Sequence, residues 1–178
     1  MDFLDILKEK AFLGREFLTW LWFKSDRAGG MVEIPGKRTI ELSFLDKMTL
    51  DLSGSESPQM VTIKGGQSEL REGMAALKEG KKIEEARILI RDSQEEYTVT
   101  IKGTWLSFSG FRTPPSFPTQ EGDADDSEGA FHEKMYLVEQ FLTIIDELFT
   151  FFLEMRVSDT WEETELPLLR KWVESSGQ

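Results

Sequence analysis

The stretch from Phe141 to Met155 constrains the fold more than any other part of this chain. Met135, Val138, Phe141, Leu142 and Ile145 recur at helical spacing, and beyond Phe141 the segment is apolar almost all round, relieved by Asp146, Glu147 and Glu154. A helix with apolar residues on every side cannot rest one stripe on a core and leave the rest in water. It has to be sandwiched between layers or buried by a second subunit. The pattern predicts a helix from about Ala130 to Arg156, on the order of 40 Å at 1.5 Å per residue.

A second aromatic helix is predicted near the amino terminus. Asp2 can cap it, Asp5 sits in its favourable first turn, and Leu7, Ala11, Gly14, Leu18 and Leu21 share one face widened by Ile6, Leu13, Phe17 and Trp20. Gly14 costs roughly 1 kcal/mol against alanine inside a helix. Its place on the apolar face predicts close approach by another element, for which the long second helix is the natural candidate.

Between these helices the period changes. Ser25 to Gly30 reads as a turn, and Ile40, Leu42, Phe44, Met48, Leu50 and Leu52 then alternate with polar residues. Asp46 would interrupt the apolar face of one long strand, so two strands around a turn at Leu45-Asp46-Lys47 are expected. Gly54 to Pro58 reads as a loop and Val61 to Ile63 as a short strand. Gln67 to Gly80 reads as a helix with Leu70, Met74 and Leu77 as its stripe. Ile83 to Ala86 is ambiguous. Arg87–Arg91 and Tyr97–Lys102 form a predicted hairpin, Trp105–Phe111 a further strand, and Pro114, Pro115 and Pro118 end regular structure. A short helix from Thr160 or Trp161 is expected to break near Pro167. The whole reads as one α+β domain over residues 1–178: antiparallel sheet(s), with two long aromatic-rich helices packed together and against the sheet. An acidic loop at about 113–129 is expected to be mobile. A calcium loop starting at Asp123 would need glycine at position 128 and glutamate at 134, but the chain has Glu128 and Lys134.

Residue chemistry excludes many activities. The chain has 178 residues, no cysteine and one histidine, His132, so thiolate catalysis, cysteine-metal sites and paired-histidine sites are ruled out. No phosphate-loop or dinucleotide fingerprint occurs, and neither a metal, a cofactor nor a small-molecule substrate is predicted. Glu41, Asp46, Asp51, Asp92, Glu95 and Glu96 with Lys102 leave a magnesium nuclease as the one catalytic alternative, although polar strand faces and turns explain these residues through solvation alone. Charged residues open the sequence and no apolar run is long enough to span a bilayer, so a cytoplasmic protein without membrane contact is expected.

The net charge of −12 opposes indiscriminate attraction to phosphate. Within it, Lys78, Lys81, Lys82, Arg87 and Arg91 cluster around the end of the middle helix and the next strand, while Lys64 and Lys102 end strands of similar sequence. Lysines after a helix also complement its dipole. They become a phosphate surface only if they share a face, since screening acts within about 8–10 Å.

The stretch Phe12-Leu13-Gly14-Arg15-Glu16-Phe17-Leu18-Thr19-Trp20-Leu21-Trp22-Phe23-Lys24-Ser25 resembles a signature of the recombination-associated RdgC family. Ala75 to Arg87, and Phe141 to Arg156 with Trp161 after it, fit the same likeness. The chain resembles the carboxyl-terminal part of a family member, or a short relative; the amino-terminal half of the pattern is missing. The resemblance implies a non-enzymatic, nucleoid-associated homodimer that binds duplex DNA without sequence preference and modulates recombination. It carries over no binding residues; Lys64, Lys78, Lys81, Lys82, Arg87, Arg91 and Lys102 are candidates from charge alone. An acidic oligomerisation or protein-interaction module without nucleic-acid contact is the other reading.

Overall fold

The computed structural model describes the backbone of residues 3–51, 61–64, 67–114 and 124–175, and side chains within 12–45, 47–50, 72–114 and 128–175. Helix α1 (Phe3–Arg27) is followed by strands β1 (Met31–Ile34), β2 (Arg38–Asp51) and β3 (Val61–Lys64) and by helix α2 (Gln67–Lys78). Strands β4 (Lys82–Asp92), β5 (Glu95–Lys102) and β6 (Ser107–Arg112) come next, then helix α3 (Ala124–Val157). A π-helical turn, Trp161–Glu165, leads into α4 (Leu166–Ser175). The strands make one six-stranded antiparallel sheet in the order β1-β2-β4-β5-β6, with β3 pairing farther along β2. The architecture is α+β.

The expected turn at Leu45-Asp46-Lys47 is instead a bulge within one continuous strand. Phe44 faces Ile88 while Met48 faces Ala86, so β2 spends more residues than β4 on this step. A bulge absorbs the excess and returns Met48 and Leu50 to the apolar face without reversing the chain. The ambiguous Ile83–Ala86 segment belongs to β4. Strand β1, which its short alternation did not reveal, buries Val32 and Ile34 at the sheet edge.

One sheet face makes the core. Ile40, Leu42, Ile88, Ile90, Val99 and Ile101 are fully buried there, and so are Phe17, Leu18, Trp20 and Leu21 of α1. Alternation along each strand turns Ser43, Arg87, Thr98 and Thr100 to the other side. The π turn has a local cause. In a regular α-helix the Pro167 ring would clash with the carbonyl four residues back, that of Glu163; the turn widens, and the Leu166 N–H donates to the Trp161 carbonyl five residues back. The expected break is therefore a widened turn, with Pro167 tolerated in the first turn of α4.

Phe17 of α1 packs on Phe149 and Phe152 of α3 with ring centroids 5.1 and 5.6 Å apart, and Trp20 packs on Phe151 and Phe152 at 5.3 and 5.5 Å. Phe141 meets Phe111 of β6 at 4.6 Å, and Trp161 closes over Phe152 at 6.0 Å. Much of the apolar girth of α3 is thus filled by its own chain. Helix α3 begins at Ala124 rather than Ala130, taking in part of the expected acidic loop. Of that loop, residues 115–123 lie outside the described residues.

Gly14 does mark a close approach, but its neighbour is not α3. A Cβ built there would sit 1.9 Å from the carbonyl oxygen of Gly103, in the turn after β5. Around this contact Arg15 Nε lies 2.5 Å from Glu84 of β4, the Thr104 hydroxyl donates to the same carboxylate, and the Gly103 N–H donates to the Glu84 carbonyl at 2.7 Å.

Tyr97 of β5 is fully buried, and its hydroxyl donates to Glu95. Burial first, then the Glu95 carboxylate, raise its pKa well above the ordinary 10.0. A raised folded value means that the neutral phenol contributes stability fully present below pH 10 and lost as pH rises through the folded value. Unfolding free energy followed against pH is expected to fall at the alkaline end, and Tyr97→Phe to flatten that fall.

Candidate functional site

Helices α1, α2, α3 and α4 all send side chains into the one buried cluster on the core face, which leaves the opposite sheet face open among the described residues. Cross-strand pairs share a face, and register places Arg87 of β4 opposite Thr100 of β5, and Arg112 of β6 opposite Thr98. Glu85 sits between two lysines from neighbouring strands: Lys47 Nζ lies 2.5 Å from its Oε1 and Lys102 Nζ 3.7 Å from its Oε2. Lys47 and Lys102 therefore meet at one carboxylate, Arg87 is the next residue on the same face of β4, and Arg112 stands farther along that face opposite Thr98, with Ser43, Thr98, Thr100 and Ser109 supplying hydroxyls. Toward the other end, Arg91 is held by Glu41 and Glu96, each at 2.6 Å. Its hydrogen bonds to Glu96 and then Glu41 raise its pKa, so its charge is already matched locally.

The charge-selected residues thus divide. Arg87, Arg91 and Lys102 come together on the open face. Lys78, Lys81 and Lys82 lie at the α2–β4 junction, beside the helices. Lys64 pairs with Lys47 through the backbone, and its side chain lies outside the described residues. Lys47 and Arg112 join the open face only through register. Sequence alternation places Lys47 in a turn, and Arg112 follows the predicted end of its strand.

At the α2–β4 junction an apolar pocket of about 220 Å³ opens between α1, α2 and α4. Leu77, Trp161, Leu166, Leu169 and Val173 line it, with Glu16, Lys81 and Lys82 among its polar residues. A shallower hollow of about 520 Å³ shares Leu77, Leu169 and Val173 and adds Lys78, Arg170 and Glu174. Together they make one groove along α2 and α4. Lys81 is buried with Nζ 2.9 Å from Glu79, while Lys82 Nζ lies 3.7 Å from Glu16, which also receives Arg156 Nε at 3.0 Å.

The acidic residues weighed for a nuclease do not converge. Glu41 and Glu96 hold Arg91, Asp92 lies 2.6 Å from Arg38, and Glu95 accepts from Tyr97. The side chains of Asp46 and Asp51 lie outside the described residues. No group of three or more His, Cys, Asp or Glu side chains placed to hold a metal occurs among the described residues. Glu165, buried in the π turn, accepts from Trp20 Nε1 at 2.8 Å and meets Lys24 Nζ at 2.5 Å. Both partners come from α1, so this carboxylate ties the terminal helices together.

No described helix is long and apolar enough to cross a membrane. Comparison with known protein families, with characterised proteins and with solved structures yields no match.

Proposed function

We propose that this chain is a non-enzymatic, sequence-independent DNA-binding module whose contact surface is the open sheet face. The observation that carries this reading is that Lys47, Arg87 and Lys102 gather about the carboxylate of Glu85 while Arg112 extends the same cationic face farther along β6. Cations and hydroxyls on a sheet contact phosphate and sugar, which position a duplex without reading its bases. The acidity of the chain as a whole is no obstacle, because fields are screened beyond about 8–10 Å at moderate salt. The RdgC-like signature in α1 supports the same class, and with it a nucleoid association in the cytoplasm and a role in modulating recombination. The two long aromatic helices serve as the frame that holds the sheet face in shape.

Duplex binding is expected in a fluorescence-anisotropy titration at low salt and to weaken steeply between about 50 and 200 mM salt. Joint replacement of Arg87, Lys102 and Arg112 by alanine is expected to reduce affinity at least about tenfold. It should also flatten the salt dependence by about one unit of slope per lost cation. Replacing Lys78, Lys81 and Lys82 leaves the titration unchanged. No binding at low salt overturns the proposal.

A second reading, an assembly or protein-interaction module, is favoured by a different observation. Phe131, Met135 and Leu142 of α3 are 60, 44 and 46% exposed. A run of large apolar side chains left in water marks an interaction surface.

A further inference from the structure

We propose that copies of this chain join head to tail, the exposed stripe of α3 from one copy lying in the groove between α2 and α4 of the next. This rests on the assembly reading and is independent of DNA binding. Phe131, Met135, Val138 and Leu142 follow spacings of four, three and four residues, so they form one stripe on the helix. The stripe runs about 16 Å at 1.5 Å per residue, close to the roughly 15 Å of α4 over its 10 residues. Its downstream end runs into Phe149, which is already packed on Phe17.

Charge selects the occupant. Glu128, Glu139 and Asp146 line one flank of the stripe, eleven and seven residues apart, and all three are exposed. The groove is apolar along Leu77, Leu169 and Val173, and Lys78, Lys81, Lys82 and Arg170 outnumber Glu16 and Glu174 among its charged residues. The acidic flank therefore meets a groove whose charged residues are mostly basic. The alternative self-pairings do not. In a two-fold antiparallel pair of α3 helices, like flanks meet, bringing the Glu128–Glu139–Asp146 side against itself. Two grooves face to face would set two mostly basic rims against each other. Like-charge contacts of this kind work against a wrong pairing. Stripe and groove are different surfaces of one chain, so the contact is heterologous and propagates into a ring or a filament.

Two variants test this by sedimentation velocity across a concentration series. Met135→Asp with Leu142→Asp spoils the stripe at exposed positions, and Lys78→Glu with Lys82→Glu and Arg170→Glu spoils the groove edge. Circular dichroism confirms that both variants are folded. The wild-type chain is expected to grow in mass with concentration, and each variant to associate at least about tenfold more weakly. An equimolar mixture retains one intact stripe and one intact groove, so it should form a one-to-one complex that grows no further. A wild-type chain that stays monomeric overturns both this contact and the assembly reading. A groove variant that self-associates like wild type overturns this contact alone and leaves assembly through α3 standing. A mixture that stays monomeric overturns the head-to-tail geometry.

Discussion

Gly14→Ala is expected to lower the melting temperature by roughly 5–10 °C, although alanine is the better helix former. At an exposed helical position the exchange would gain about 1 kcal/mol. Here the added methyl meets the backbone carbonyl of Gly103 at 1.9 Å, and no rotamer can move it away. Relief requires α1 to lift from the β5–β6 turn, loosening the Arg15–Glu84–Thr104 contacts that fasten the helix to the sheet. Overpacking of this kind costs about 1–3 kcal/mol, and for a chain of this size each kcal/mol moves the midpoint by about 2–4 °C. Gly103→Ala brings its Cβ to 3.1 Å from the Arg15 backbone and is expected to have the smaller effect. Gly129→Ala on α3 meets nothing within 4 Å and is expected to stabilise slightly, which makes it the internal control. Thermal unfolding followed by circular dichroism orders the three variants.

Trp20→Ala is expected to be more damaging still. The indole is fully buried against Phe151 and Phe152, and its Nε1 donates to the buried Glu165 at 2.8 Å. Removing the ring leaves a cavity costing about 3–5 kcal/mol. Loss of a donor to a buried carboxylate adds about 1.5–3 kcal/mol. Lys24 remains at 2.5 Å and moderates the second effect. Trp20→Phe keeps most of the packing and isolates the hydrogen bond, so a loss of about 2 kcal/mol is expected in urea unfolding. Combining Trp20→Phe with Glu165→Leu removes donor and acceptor together. The double variant is expected to be more stable than the sum of its parts, since the carboxylate that lacks the indole donor is gone, and the lost Lys24 ion pair is common to it and to Glu165→Leu alone. If the losses simply add, Trp20 and Glu165 are not coupled and α1 is held to the π turn by packing and the Lys24 ion pair.

Legibility followed the range of the interaction. The helical stripes of α1 and α3, the alternation in β2 and β5, and the reach of α2 to its end all rest on neighbours within a few residues. The bulge at Leu45-Asp46-Lys47 was misread because whether a polar residue ends a strand or is absorbed depends on β4, about forty residues away. Lys47 and Arg112 were missed as members of the open face for the same reason. Each acquires its neighbours through cross-strand register, and register has no local signature when a strand is irregular. The basic residues show the converse. Lys78, Lys81 and Lys82 are close in sequence to Arg87 and Arg91, yet they flank an apolar groove on the helical side.

What the sequence determined by itself was the kind of molecule: an α+β chain with two aromatic helices, with no cysteine chemistry and no paired-histidine site, and a glycine that demanded a close neighbour. Local periodicity and residue chemistry suffice for that. Tertiary structure alone decided the identity of that neighbour, Gly103 rather than α3. It also decided which cations stand together and which apolar residues of α3 stay in water. These are consequences of chain segments meeting across long separations, where small shifts of register or helix placement exchange one partner for another.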